Sequence, residues 1–176
     1  KAALTVFRYL ERSFLDKEDE EARAGMHYAS CMAGLAFDKA SLGLNHAIAH
    51  NIGGKFRVPH GRANAILLPH VLQFNGAFTD YQQKEISVAA RKYARLAALA
   101  GVGGMNVRSS VTRLIQLVEK LQKQLRLPVS FRECGIDTGA YQKQVEAIIT
   151  GAQRDACIAT NPRSASRQEI KEILKR

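Results

Sequence analysis

Tryptophan is missing from the chain altogether, and in 176 residues cysteine occurs only three times and proline four times. Cys31, Cys134 and Cys157 are odd in number and widely spaced, with no CxxC pair. That pattern argues against both a disulfide framework and a structural zinc knuckle, so a reducing, cytoplasmic setting is expected. No apolar run approaches the roughly 18 residues that a membrane-spanning helix needs, and no charged-then-apolar leader has the form of a signal peptide. Neither a membrane partner nor secretion is expected. Runs of alternating apolar and polar residues long enough for a sheet are also lacking, as are internal repeats, low-complexity tracts and linkers.

What the chain does contain is the composition of an ordinary globular protein, 46% hydrophobic and 24% charged. A chain of this length buries about 70% of its unfolded surface, which allows a real core. Residues 1–176 are therefore expected to form one helical domain. The formal net charge of +10 admits an acidic partner. The lysines and arginines, however, are spread along the chain and form no block with interleaved aromatics, so nucleic acid is not an expected partner. The sequence opens at Lys1 without a methionine and is already in helical pattern by Ala2, so it is expected to be part of a longer protein.

The spacing of Leu4, Phe7, Leu10 and Phe14 predicts a helix over Ala2 to Phe14. The acidic stretch Asp16 to Glu21 suits a helix N-terminus and opens a second helix through Phe37. Small residues such as Ala22, Gly25, Ala29 and Gly34 make that helix thin, and it reads as a central packing element. A third helix fits Leu42 to Asn51, stopped by Gly53-Gly54, with Lys55 to Val58 leading to Pro59. The next runs from about Gly61 to Phe74, where Pro69 is expected to remove one backbone hydrogen bond and bend it. Amphipathic helices follow over Glu85 to Ala100, Val107 to Leu125 and Thr138 to Thr150, the last closing at Gly151. Asn161-Pro162 marks a turn, and Ser166 with Glu169 matches a capping box for a final helix through Leu174. The expected fold class is all-α.

Four of the five histidines lie between His46 and His70. His46 and His50 are four residues apart, so on a helix both imidazoles leave the same face about one turn apart. Neutral imidazole is the commonest protein ligand for divalent metals, and a site needs three or four donors at about 2 Å. Two from one helix are not enough. The glycine pair and the rigid Pro59 can bring the chain back so that His60 faces the first helix as the third imidazole. An HxxxH pair alone is a weak signal, more often surface or capping chemistry; three histidines bracketing Gly-Gly and Pro carry more weight. No Glu stands between His46 and His50, which disfavours HExxH proteolysis. His27, alone on a largely apolar helix, reads as a core or boundary residue, and His70, after Pro69, as structural.

The stretch GLNHAIAHNIGGKFRVPHGRANAILLPH, Gly43 to His70, resembles the signature of the iron-containing, or group III, alcohol dehydrogenases. DACIATNPR, Asp155 to Arg163, is similar to that family's C-terminal motif, and the likeness extends over essentially the whole chain. The resemblance implies the C-terminal helical-bundle domain of the dehydroquinate synthase-like fold, with cofactor and metal lying in a cleft against an N-terminal nucleotide-binding domain. It implies His46 and His60 as metal ligands, and His50 as a catalytic proton relay or substrate contact near the nicotinamide. Cys157 matches a cysteine near the cofactor in some members, although an inert buried thiol is an equal reading. The remaining aspartate and histidine of the metal shell belong to a DAxxHAxE segment that this sequence does not contain.

The implied cofactors are Fe2+, with Zn2+ as the alternative, and NAD(H) or NADP(H) held mainly by the missing N-terminal domain. The implied activity interconverts a primary alcohol and its aldehyde, with the isolated chain inactive. Loss of the partner domain leaves an apolar face that favours association, so a homo-oligomer is an open expectation. The alternative from another class is a non-catalytic helical interaction module with a basic surface. The glycerol-dehydrogenase and dehydroquinate-synthase groups share the architecture but fit HAIAH and PHGRANAILLPH less well.

Overall fold

A computed structural model of the chain describes residues 1–76 and 86–175. It contains α1 (Ala2–Leu15), α2 (Glu20–Ala40), α3 (Leu44–Phe56), α4 (His60–Asn75), α5 (Val88–Leu99), α6 (Val107–Gln124), α7 (Thr138–Arg154), a 310 turn (Ala156–Thr160) and α8 (Arg167–Leu174). No strand occurs among the described residues, so the all-α expectation holds. None of these helices is long and apolar enough to cross a membrane. The chain divides into two compact units, Lys1–Ser41 with Ala90–Arg126, and Leu42–Ala89 with Leu127–Arg176.

In the first unit α1 packs on α2. Asp19, from the acidic stretch, is the N-cap of α2 and accepts the Ala22 N–H at 2.9 Å, while Arg12 of α1 grips the same carboxylate at 2.8 and 3.0 Å. The central role expected of α2 does not hold among these contacts. Only Ala22 and Ala29 are buried on it, seven residues apart on one stripe, whereas Tyr28, Leu35 and Phe37 lie off that stripe and are exposed. Thinness matters at Gly25, where a Cβ would overlap the Tyr9 ring. Val111, Leu114 and Val118 form the buried face of α6, which opens with a capping box between Asn106 and Ser109. The expected helix start at Glu85 lies outside the described residues.

The second unit is built around α3, whose Leu44, Ala47, Ile48, Ala49 and Ile52 are all buried. They pack with Leu67, Val71 and Phe74 of α4, Ile148, Ile149 and Ala152 of α7, and Ile170 and Ile173 of α8. Two boundaries of α3 differ from expectation. It begins at Leu44, whose N–H is capped by Asn161 Oδ1 at 3.1 Å. It also continues through Gly53-Gly54 to Phe56, and the chain reverses at Arg57, which takes left-handed backbone at φ 55° and donates its N–H to Gly53 O at 2.9 Å. Each glycine costs a helix interior about 1 kcal/mol relative to alanine. Full burial of a single Leu or Ile contributes about 1.5–3 kcal/mol, so the packed face of α3 overrides the glycines. Pro69 likewise sits inside α4, buried, with the helix continuing to Asn75.

The helix expected to close at Gly151 runs on to Arg154, with Asp155 as its C-cap. Gly151 is a packing notch: a Cβ there would overlap the side-chain amide of Asn51, which is held by donating to Ala47 O at 2.9 Å. α3 and α7 thus meet through a residue without a side chain. At the far end of the chain, Ser166 and Glu169 form the expected capping box of α8.

Gly151→Ala is expected to be net destabilising, because overpacking costs about 1–3 kcal/mol and exceeds the roughly 1 kcal/mol gained in helix propensity. In an Asn51→Ala background the overlap is gone and the same change should stabilise. Urea unfolding of the four variants checks the reversal; equal stabilisation in both backgrounds would show that the two helices do not meet there.

Candidate metal centre

The site lies within the second unit. His46 and His50 sit one turn apart on α3, and His60 is the first residue of α4. Their ring centroids are 6.0 Å apart for His46–His50, 5.3 Å for His46–His60 and 5.3 Å for His50–His60. The three imidazoles expected to converge do so, but the chain reverses at Arg57 to Pro59 and not at the glycine pair. His46 is half-buried and the other two are exposed. Burial pushes the His46 pKa below its ordinary 6.5, and neighbouring His60 and His50 push the same way against the opposing Asp155. The neutral form that can ligate a metal is thereby favoured.

Asp155, at the end of α7, brings a carboxylate to this cluster. Its Oδ2 lies 2.8 Å from His50 Nδ1, and its Oδ1 accepts the Cys157 N–H at 2.8 Å. Burial alone would raise the Asp155 pKa, but the hydrogen bonds from His50 and Cys157 outweigh it and hold the carboxyl below its ordinary 3.8. The Cys157 thiol is pushed above 9.0, first by burial and then by Asp155, and so stays protonated at neutral pH. Ligand atoms of His50, Asp155 and Cys157 all lie within 4.8 Å of one another, a trio consistent with a divalent metal site.

Asn64, one turn beyond His60 on α4, places Nδ2 3.0 Å from His60 Nε2 and donates to His60 O at 3.1 Å. Asn45 of α3 donates in turn to Asn64 Oδ1 at 2.7 Å. An amide relay therefore ties the two histidine-bearing helices together. Sequence reasoning did not single out Asp155, Asn64 or Asn45. An aspartate ahead of a short helical turn is an N-cap signal, but nothing local points from it to a histidine 105 residues earlier.

The other histidines stand apart from the cluster. His27 is exposed on α2, not a core or boundary residue, because the buried stripe of that helix is the Ala22–Ala29 side. His70 is half-buried and lines a cavity of about 500 Å3 with Ile66, Phe131, Arg132, Tyr141 and Leu174; none of His46, His50 and His60 borders it.

Residues 1–176 match the Fe-containing alcohol dehydrogenase family, C-terminal. The chain is 40% identical over 179 residues to the 1-propanol dehydrogenase of Salmonella typhimurium, covering 99% of this chain and 45% of that protein. It is 38% identical over 156 residues to the NADPH-dependent butanol dehydrogenase of Clostridium saccharobutylicum, covering 89% of this chain and 38% of that protein. Among solved structures, a 1,3-propanediol oxidoreductase aligns with a TM-score of 0.86 at 31% identity, over 99% of this chain and 42% of the other. The iron-containing alcohol dehydrogenase of Thermococcus thioreducens aligns with a TM-score of 0.82 at 37% identity, over 99% and 41%. The chain thus spans less than half the length of these relatives.

The depressed His46 pKa carries a consequence for stability. Below the ordinary value of 6.5 the unfolded chain binds the proton before the folded one does, so this contribution is present above that pH and is lost as pH falls through the folded value. His46→Gln should flatten the fall in denaturant midpoint between neutral pH and about pH 5. An unchanged slope would remove His46 from the acid sensitivity of the fold.

Proposed function

The chain belongs to the iron-containing alcohol dehydrogenase family as its C-terminal helical part, and on that premise we propose that, joined to a nucleotide-binding domain, it interconverts a primary alcohol and its aldehyde with NAD(H) or NADP(H). The observation that carries this reading is the convergence of His46, His50 and His60 from two helices, with ring centroids 5.3 to 6.0 Å apart. The names of its relatives, a 1-propanol dehydrogenase and an NADPH-dependent butanol dehydrogenase, favour a short primary alcohol.

The donor set fits a divalent ion, since imidazoles beside a carboxylate suit iron and zinc alike. His46 and His60 would hold the ion, with the rest of its shell coming from the N-terminal domain. His50 Nδ1 and both Asp155 oxygens are engaged in hydrogen bonds, which leaves Nε2 as the open nitrogen of the His50 ring. When bound, the ion supplies Lewis acidity toward the substrate oxygen, and the nicotinamide supplies a hydride acceptor for the alcohol carbon.

The remaining work falls to side chains of this chain. His46 is kept neutral by burial and by its neighbours. Asn64 orients His60, and Asn45 orients Asn64. His50 keeps 40% of its side chain exposed; it would take the hydroxyl proton from the alcohol and release it to solvent, a transfer suited to imidazole near neutral pH. Cys157 would present a neutral thiol on the cofactor side. The chain holds no glycine-rich phosphate loop of the GxGxxG type, so by itself it is expected to be inactive.

The longer enzyme should oxidise short primary alcohols in an NAD(P)-coupled assay, lose that activity to a chelator and regain it with Fe2+ or Zn2+. His46→Ala and His60→Ala should each lose bound metal and turnover while the far-UV circular dichroism of the helices is kept. A protein that carries no metal and turns over no alcohol or aldehyde would sink the assignment.

A further inference from the structure

We infer that Asp155 is a positioning residue for His50, holding the imidazole in the tautomer with its proton on Nδ1 so that Nε2 presents a lone pair for the substrate proton. This deepens the proposed function and rests on His50 as the proton carrier. The two groups are brought together from 105 positions apart, Nδ1 to Oδ2, at 2.8 Å. An ionised carboxylate can only accept, so the nitrogen facing it must be the one that carries hydrogen. Neutral imidazole has a single N–H; placing it on Nδ1 leaves Nε2 as the acceptor, the atom a proton carrier needs free.

Asp155 is itself held in place, unlike a surface aspartate meeting a histidine by chance. It is the C-cap of α7 and the N-cap of the 310 turn, and its Oδ1 is occupied by the Cys157 N–H at 2.8 Å. With one oxygen pinned to the backbone, the other is aimed. Its side chain is 17% exposed against 40% for His50, so the orienting group is sheltered and the group it orients faces out. A carboxylate that locks an imidazole tautomer in this way leaves binding of substrate intact and acts on the proton transfer, which typically contributes 10²–10⁴-fold to rate.

The substitution that isolates this role is Asp155→Asn. Asparagine is as good an N-cap as aspartate, so its Oδ1 can keep the Cys157 N–H. Its NH2 then faces His50 Nδ1 as a donor, which drives the proton to Nε2. A purely structural Asp155 would leave this variant silent. Two measurements decide. In the longer enzyme, Asp155→Asn should lower kcat by roughly 100-fold or more with KM, metal content and melting temperature unchanged. In this chain, uniformly 15N-labelled at histidine and free of metal, NMR at a pH where the ring is neutral should show His50 protonated on Nδ1, moving to Nε2 in Asp155→Asn.

A variant with wild-type kcat, or a His50 tautomer that Asp155→Asn does not move, overturns the inference. Loss of bound metal in Asp155→Asn also overturns it, because Asp155 would then be a ligand. The NMR arm stands whether or not the longer enzyme turns over an alcohol, so failure of the dehydrogenase assignment and failure of the Asp155 assignment are separable.

Discussion

At the contact between Asn51 and Gly151, α3 and α7 meet through a residue without a side chain, and the geometry around the histidines depends on that contact. With no side chain at Gly151, the Asn51 amide fills the space a Cβ would take. Ile48 and Ile52 on one helix can then pack in the same buried cluster as Ile148, Ile149 and Ala152 on the other. One turn beyond the notch α7 ends, and its cap, Asp155, is delivered to His50. A bulkier residue at position 151 would push apart two elements whose separation sets a 2.8 Å hydrogen bond.

The cluster itself is an arrangement of groups that oppose charge on one another. His60 and His50, with ring centroids 5.3 and 6.0 Å from that of His46, both disfavour a proton on it. The carboxylate of Asp155 partly offsets this, but it is hydrogen-bonded to only one of them. His46, more sheltered than the others, feels burial first and its neighbours second. His60 is fixed differently, through the amides of Asn64 and Asn45. Three histidines thus face a common space while each is held by a different kind of neighbour.

Much of this was legible in the sequence. Helix positions followed from periodic apolar residues and from local signals such as the acidic stretch Asp16 to Glu21 and the Ser166–Glu169 capping box, because these act within about one helical turn. The histidine cluster was legible because its members lie within one helix and the start of the next. Glycine was the weak letter. Gly53, Gly54 and Gly151 look like helix stops in one dimension, yet all three are helical, and the reason at Gly151 is Asn51, which faces it from α3. The same limit hid Asp155 and Asn64, whose roles depend on partners that only the packed helices supply. The small residues of α2 misled in the opposite sense: a thin helix can be central, but the buried stripe of this one carries only Ala22 and Ala29.

The distance along the chain between His60 and Asp155 also sets an order of events during synthesis. A ribosome adds about 5–20 residues per second, so the three histidines are made roughly 5–20 seconds before the carboxylate that meets His50. Through that interval the nascent chain carries its imidazoles without α7 to pack against α3, and His50 can turn freely. The orientation of His50 must therefore await the synthesis of Asp155.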